Sequence, residues 1–265
     1  METVTSADGT EIAFTRTGSG PPLVLVHGAV SDHRFWDLSG VRSALAAHCT
    51  VYAMDCRGVG QSSDAPRYEL EREFEDVAAV VDAIDHPATV LGHSGGARSS
   101  LEAAILTDNC DQLILYEPPI PGGEFQGVPE VVLADMQQLL EEGKNERMVE
   151  FFLEAVAQST PEEIEAQRTA PYWHEAVNAA HVWLRHFKAE RGYEFDAARF
   201  TNLTTSTALL TGSDSPQFLK DATIVVDEAL PDSQIVTLEG YAHEAMLTAP
   251  DYFVDEVLEL CDQDG

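Results

Sequence analysis

Short apolar runs separated by turn residues recur along the chain. Leu23–Val26, Thr50–Met54, Ala88–Leu91, Leu113–Tyr116, Ala208–Thr211 and Ile235–Leu238 are continuous rather than alternating. That pattern suits strands covered on both faces of a parallel sheet. Ahead of them, Thr3–Val4 and Glu11–Thr17 flank the turn dipeptide Asp8-Gly9, which predicts a hairpin. Phe74, Val77, Val81 and Ile84 recur at helical spacing, as do Phe218, Ala222, Val226 and Leu230. Strand and helix patterns alternate, so the expected fold class is α/β, with a mostly parallel central sheet and right-handed crossovers.

One connection is too long for a simple crossover. From Glu117 to Thr207 runs a segment of about 90 residues, where little more than a dozen would suffice. Its interior is patterned for helices. Thr160-Pro161-Glu162-Glu163 has an N-cap, a proline at the first helical position and the reciprocal glutamate of a capping box. Trp173, Val177, Ala180, Leu184 and Phe187 predict one helix that stops at Gly192. The expected organisation is a core of residues 1–120 and 204–265, with a helical cap at 121–203.

Composition narrows the partners. The 265 residues carry 46 acids against 15 bases, a formal charge of −31. Nucleic acid and anionic membranes repel such a field, so both are poor partners. No stretch of about 18 apolar residues occurs, and METVTSADGTEI lacks the basic-then-apolar order of a secretory signal, so a cytoplasmic location is expected. Lysine occurs only at Lys144, Lys188 and Lys220, and the acids are spread over the whole chain. A dense carboxylate surface of this kind suits high salt, where self-repulsion is screened. Cys49, Cys56, Cys110 and Cys261 have no metal-ligand spacing and read as reduced structural thiols. His174, His181 and His186 are spaced so that they do not share one helix face, which argues against a metal site there.

The chemistry concentrates at the ends of the apolar runs. Gly92-His93-Ser94-Gly95-Gly96 stands between a strand and the helical pattern Ala97–Ile105, the strand-turn-helix setting of a nucleophile elbow. Side chains at 92 or 96 would collide with neighbouring backbone in so sharp a turn. A serine nucleophile needs a base, and the base needs an orienting acid. With such an elbow the chain order is Ser, then acid, then His. Gly212-Ser213-Asp214 follows one strand, and His243 is the only histidine after Asp214. Ser94, Asp214 and His243 are therefore the expected triad. The oxyanion needs two N–H donors. The expected pair is Ala29, in the turn His27-Gly28-Ala29-Val30, and Gly95. His27 reads as a brace for that turn rather than a second base.

On these residues the chain resembles the α/β-hydrolase superfamily, in the capped branch that includes small carboxylesterases, enol-lactonases and cofactor-free haloperoxidases. The H-G turn, Asp55-x-Arg57-Gly58-x-Gly60-x-Ser62, the elbow, Tyr116-Glu117-Pro118-Pro119 and the final histidine carry the likeness. The resemblance implies a serine hydrolase of small carboxylic esters or lactones, acting through an acyl-enzyme without metal or organic cofactor. It makes Asp55 and Arg57 scaffold residues. It also makes Glu117 the alternative acid or a pocket residue, since some relatives recruit the acid from that position. Serine rather than aspartate at 94 disfavours alkyl-enzyme chemistry. Two other readings stay open: a perhydrolase or cofactor-free haloperoxidase on the same triad, and an idle fold that binds a ligand or partner.

The charge carries a test of its own. The screening length falls from about 30 Å at 0.01 M salt to about 3 Å at 1 M. Melting temperature and activity are both expected to rise as KCl goes from dilute to molar. A flat or falling melting temperature, followed by circular dichroism, would contradict the high-salt reading.

Overall fold

A computed structural model describes residues 1–121 and 127–263. Eight strands form one sheet: β1 Glu2–Thr5, β2 Glu11–Gly18, β3 Pro22–Val26, β4 Thr50–Met54, β5 Ala88–His93, β6 Cys110–Tyr116, β7 Ser206–Gly212 and β8 Ser233–Leu238. Their order is β1-β2-β4-β3-β5-β6-β7-β8. The first two strands join antiparallel, as the Asp8-Gly9 turn predicts, and every pair from β4 to β8 is parallel. The result is an eight-stranded, mostly parallel sheet with helices on its faces, the α/β arrangement expected from the sequence.

The helices are α1 Val41–Leu45, α2 Glu71–Asp82, α3 Gly95–Ala103, α4 Glu130–Glu141, α5 Asn145–Ala155, α6 Pro161–Arg168, α7 Trp173–Asn178, α8 Ala180–Glu190, α9 Gln217–Ala229, α10 Ala245–Thr248 and α11 Pro250–Gln263. Among the described residues no helix is long and apolar enough to cross a membrane. Successive strand residues point to opposite faces. Leu23 and Leu25 accordingly join one apolar cluster, and Val24 and Val26 join the other. The second cluster packs Val77, Val81 and Leu101 of α2 and α3 beneath the sheet. The first continues into Tyr172, Trp183 and Phe187 of the long insertion, so those helices share a core with the sheet.

Two expectations are corrected. The run Ile235–Leu238 reads as a strand buried on both faces, but β8 is the last strand of the sheet and Ile235 is exposed. The stripe Trp173–Phe187 reads as one helix, but it breaks into α7 and α8 at Ala179. There the Trp183 indole donates to the Ala176 carbonyl at 3.2 Å, taking the acceptor that the amide of Ala180 would use in a continuous helix. The capping box forms as expected, with Thr160 N–H donating to Glu163 Oε2 at 2.7 Å and Glu163 N–H to Thr160 Oγ1 at 3.2 Å. The opening of the expected cap at 122–126 lies outside the described residues.

The Asp55–Ser62 loop is held by its own charges. Asp55 accepts from the backbone and ring of His33, at 2.9 and 2.7 Å, and from Gln61 N–H at 2.8 Å. Gly60 sits at φ +56°, and a Cβ there would collide with the Asp55 carboxylate. Arg57 is buried and donates twice to Asp76, each at 2.7 Å, and once to Asp8 at 3.0 Å. Removing one member of a buried ion pair costs about 3–5 kcal/mol. Arg57→Met is expected to lose about that much. A melting temperature within a few degrees of wild type would show that the pair is dispensable.

Candidate active site

β5 ends at His93 and α3 begins at Gly95, leaving Ser94 in the turn at φ 53° and ψ −124°. Backbone strain of this kind costs on the order of 1–3 kcal/mol and needs rigid surroundings. Ser94 N–H donates to the Tyr116 carbonyl at 2.9 Å, which ties the turn to the next strand. A Cβ on Gly92 would come within 2.6 Å of Ala97 Cα, and one on Gly96 would overlap the carbonyl oxygens of Val26 and His27. Both glycines are required for the steric reason that the sequence implies.

Ser94 lines a cavity with Ala29, Gly95 and His243, walled by Phe152 and Phe187 from the insertion. The cavity volume is about 40 Å³; on this scale one water needs roughly 10–15 Å³. Gly95 is the first residue of α3, so its amide has no partner within the helix. His27 braces the turn before Ala29: its Nδ1–H donates to Gly28 O at 2.8 Å, and its Nε2 accepts from Cys56 N–H at 3.1 Å. Burial lowers its pKa, which keeps the ring neutral and this tautomer intact.

His243 does not meet Asp214. Its Nδ1 lies 2.6 Å from Oε2 of Glu117, the residue after β6. Asp214 is exposed, two residues past β7, where its carboxylate accepts from Ser213 Oγ at 3.1 Å. Register explains the difference. The last two residues of β7 donate to Glu117 rather than supplying an acid, Thr211 Oγ1 at 2.9 Å and Gly212 N–H at 2.8 Å, both to Oε1. Glu117 thus fills the space beside the imidazole. Burial alone would raise its pKa, but the donated hydrogen bond and charge of His243 and the Gly212 amide bring it below the ordinary carboxylate range.

His93 was given no role by the sequence, and it lies against the same imidazole. Its ring centroid is 4.5 Å from that of His243 and 5.4 Å from that of Phe35. Nε2 donates to the His243 carbonyl at 3.0 Å. Burial depresses the His93 pKa strongly, so a neutral ring supports His243 without adding charge.

A second carboxylate–imidazole pair borders the cavity. His186 on α8 places Nδ1 2.7 Å from Oε1 of Glu73 on α2. Glu73 also accepts from Tyr68 and, at 3.1 Å, from Ser99. Burial would raise this carboxyl, yet His186, Arg98 and the Tyr68 hydroxyl bring it down to about 2. Arg98 in turn donates to Glu190 Oε1 at 2.7 Å. The legible signal was charge at core positions: Glu73 stands one turn before Val77, and Arg98 lies between Ala97 and Leu101.

Among the described residues, Asp32, His33 and Asp55 bring ligand-type atoms within 4.8 Å of one another. Each is already engaged, Asp32 with Arg34 and Asp55 with His33 and Gln61.

Comparison with known proteins identifies the family. A model described as "Alpha/beta hydrolase family" matches residues 23–256. The structure of an alpha/beta hydrolase from Sphaerobacter thermophilus DSM 20745 is 35% identical, with a TM-score of 0.83 over 97% of this chain and 99% of that one. The esterase RhEst1 from Rhodococcus sp. ECU1013 is 25% identical, with a TM-score of 0.78 over 100% and 99%. A pimeloyl-[acyl-carrier protein] methyl ester esterase from Aeromonas salmonicida is 27% identical over 93% of this chain and 97% of that protein.

Glu73 gives the site a pH signature. Its pKa falls from 4.5 to about 2 on folding, so its contribution is full above pH 4.5 and fades as pH drops toward 2. Glu73→Gln is expected to be less stable than wild type by up to about 3 kcal/mol near pH 7. Denaturant unfolding near pH 7 and pH 3 checks this: the gap must narrow at the lower pH.

Proposed function

We infer, because this chain belongs to the alpha/beta hydrolase family, that it is a serine hydrolase of small carboxylic esters or lactones. The observation that carries this reading is the Glu117–His243 contact at 2.6 Å, bordering the cavity that holds Ser94. His243 takes the proton of Ser94 Oγ as that oxygen attacks the ester carbon. Glu117 fixes the tautomer, with its proton on Nδ1, and offsets the charge of the imidazolium. The amides of Ala29 and Gly95 receive the oxyanion.

The proton then passes from His243 to the leaving alcohol, or to the ring oxygen of a lactone, as the carbon–oxygen bond breaks. A water deprotonated by His243 attacks the acyl-Ser94 ester, and as the second oxyanion collapses His243 returns the proton to Ser94 Oγ, freeing the acid and restoring the serine. Helices α4 to α8 act as a cap that walls the acyl site with Phe152 and Phe187. A cavity of about 40 Å³ supports small acyl groups. The esterase names among the relatives support ester rather than amide substrates.

A fluorophosphonate probe is expected to label Ser94 covalently, and Ser94→Ala to abolish both labelling and ester hydrolysis. A folded wild type inert to probe and esters would overturn the reading. Loss of the orienting acid costs about 10⁴ in kcat in the template triad. Glu117→Gln is therefore expected to lose several decades in kcat on a nitrophenyl ester, with Asp214→Asn close to wild type. The opposite ranking would reinstate Asp214.

A further inference from the structure

The Glu117–His243 pair supplies the one base that the proposed hydrolysis requires, which leaves the Glu73–His186 pair without a task. His186 and Glu190 both line the cavity. His186 Nε2 lies 3.9 Å from Glu190 Oε2, too far for a hydrogen bond. An oxygen at the apex above that gap could stand about 2.8 Å from each atom. The corner adjoins the anion-binding turn: a Cβ built on Gly95 would lie 3.7 Å from His186 Nε2 and 3.9 Å from Arg98 Nη2. Arg98 is fully buried, and its Nη2 and Nε have no hydrogen-bond partner among the described residues. A buried donor left unmatched is costly, and a guanidinium more so.

We propose that this corner binds a hydroxyl on the acyl part of the substrate, one or two carbons from the scissile carbonyl. The inference rests on the serine-hydrolase reading of the same cavity. The leaving alcohol must face His243, which returns the proton to it. The corner is built from α2, α3 and α8, different elements from the loop after β8 that carries His243, and we assign it to the acyl side. Charge selects the ligand. Glu73 and Glu190 are balanced by one permanent cation, Arg98, so a substrate carboxylate would add a third negative charge, and an ammonium would face the guanidinium.

A hydroxyl is neutral, and it both donates and accepts. Nδ1–H of His186 is committed to Glu73, so Nε2 accepts from the hydroxyl when the ring is neutral and donates to it when the ring is protonated. In the second state the hydroxyl hydrogen turns to Glu190 Oε2. Glu73 is a positioning residue, acting through the orientation it gives His186. No bond is made or broken in this role.

The test compares kcat/KM for nitrophenyl butanoate, its 2- and 3-hydroxy derivatives and the monosuccinate ester. Sites built around a substrate hydroxyl discriminate strongly against analogues lacking it. One hydroxy ester is expected to exceed the plain ester by about tenfold or more in wild type. In His186→Phe and in Glu73→Gln the same ratio is expected to fall to about one. Because the ratio is taken within each protein, a general loss of activity cancels, and fluorophosphonate labelling of Ser94 reports that the site is assembled.

A labelled, active wild type with a ratio near one overturns the proposal by itself, even if both variants fail to fold. So does a preference for the monosuccinate, or a preference for the hydroxyl that survives in His186→Phe. A wild type that neither labels nor cleaves any ester overturns the serine-hydrolase reading, and this inference with it.

Discussion

The Glu117 carboxylate is shut off from water, and a buried negative charge is tolerated only where donors meet it. Those donors come from two places: Thr211 and Gly212 at the end of β7, and the His243 ring in the loop after β8. The residue's own amide donates to Leu210 O at 3.1 Å, and its backbone sits at φ 49°. One ionised group therefore sets how the ends of β6 and β7 meet the histidine loop. Ser94 is tied to the same point by the hydrogen bond that its N–H donates to the carbonyl of Tyr116, the residue before Glu117. Satisfying this buried carboxylate holds the serine turn and the histidine loop at one edge of the sheet.

The cavity at that edge is bordered by two imidazoles, each held by a buried glutamate through Nδ1. Their supports differ. Glu117 and His243 lie in the loops that leave β6 and β8, where the register of the strands constrains the first of them. The other pair joins α2 to α8, so it spans the seam between the sheet's flanking helix and the insertion. Arg98–Glu190 and Arg185–Asp64 cross the same seam, with contacts at 2.7 Å in each pair. The first is buried and depends on its geometry. The second is partly exposed and is expected to contribute little on its own.

The charge of −31 is distributed unevenly in its effects. A few carboxylates, among them Asp55, Asp76, Glu73 and Glu117, are buried and meet specific donors. Helices α4 and α11 have no basic residue in their last turns, where cations would favour the helix dipole. The acidity therefore works against local helix electrostatics, and the fold relies on its apolar clusters and buried pairs instead.

The sequence by itself determined the sheet, the hairpin, the long helical insertion and the elbow at Ser94. Those features depend on local periodicity and on sterics within a few residues of one turn. His243 followed from chain order, because only one histidine remained after the other candidates. Which carboxylate meets that imidazole did not follow. Asp214 and Glu117 both stand just past strand ends, and choosing between them depends on how β6 and β7 align, which no local pattern encodes. Only the tertiary structure decided it, because the Thr211 and Gly212 donors face Glu117 and leave Asp214 in solvent. Glu73, Arg98, His186 and Glu190 come from three separate helices. Glu73 and Arg98 stand in register with apolar neighbours, but the four acquire meaning only when packing removes the water around all of them together.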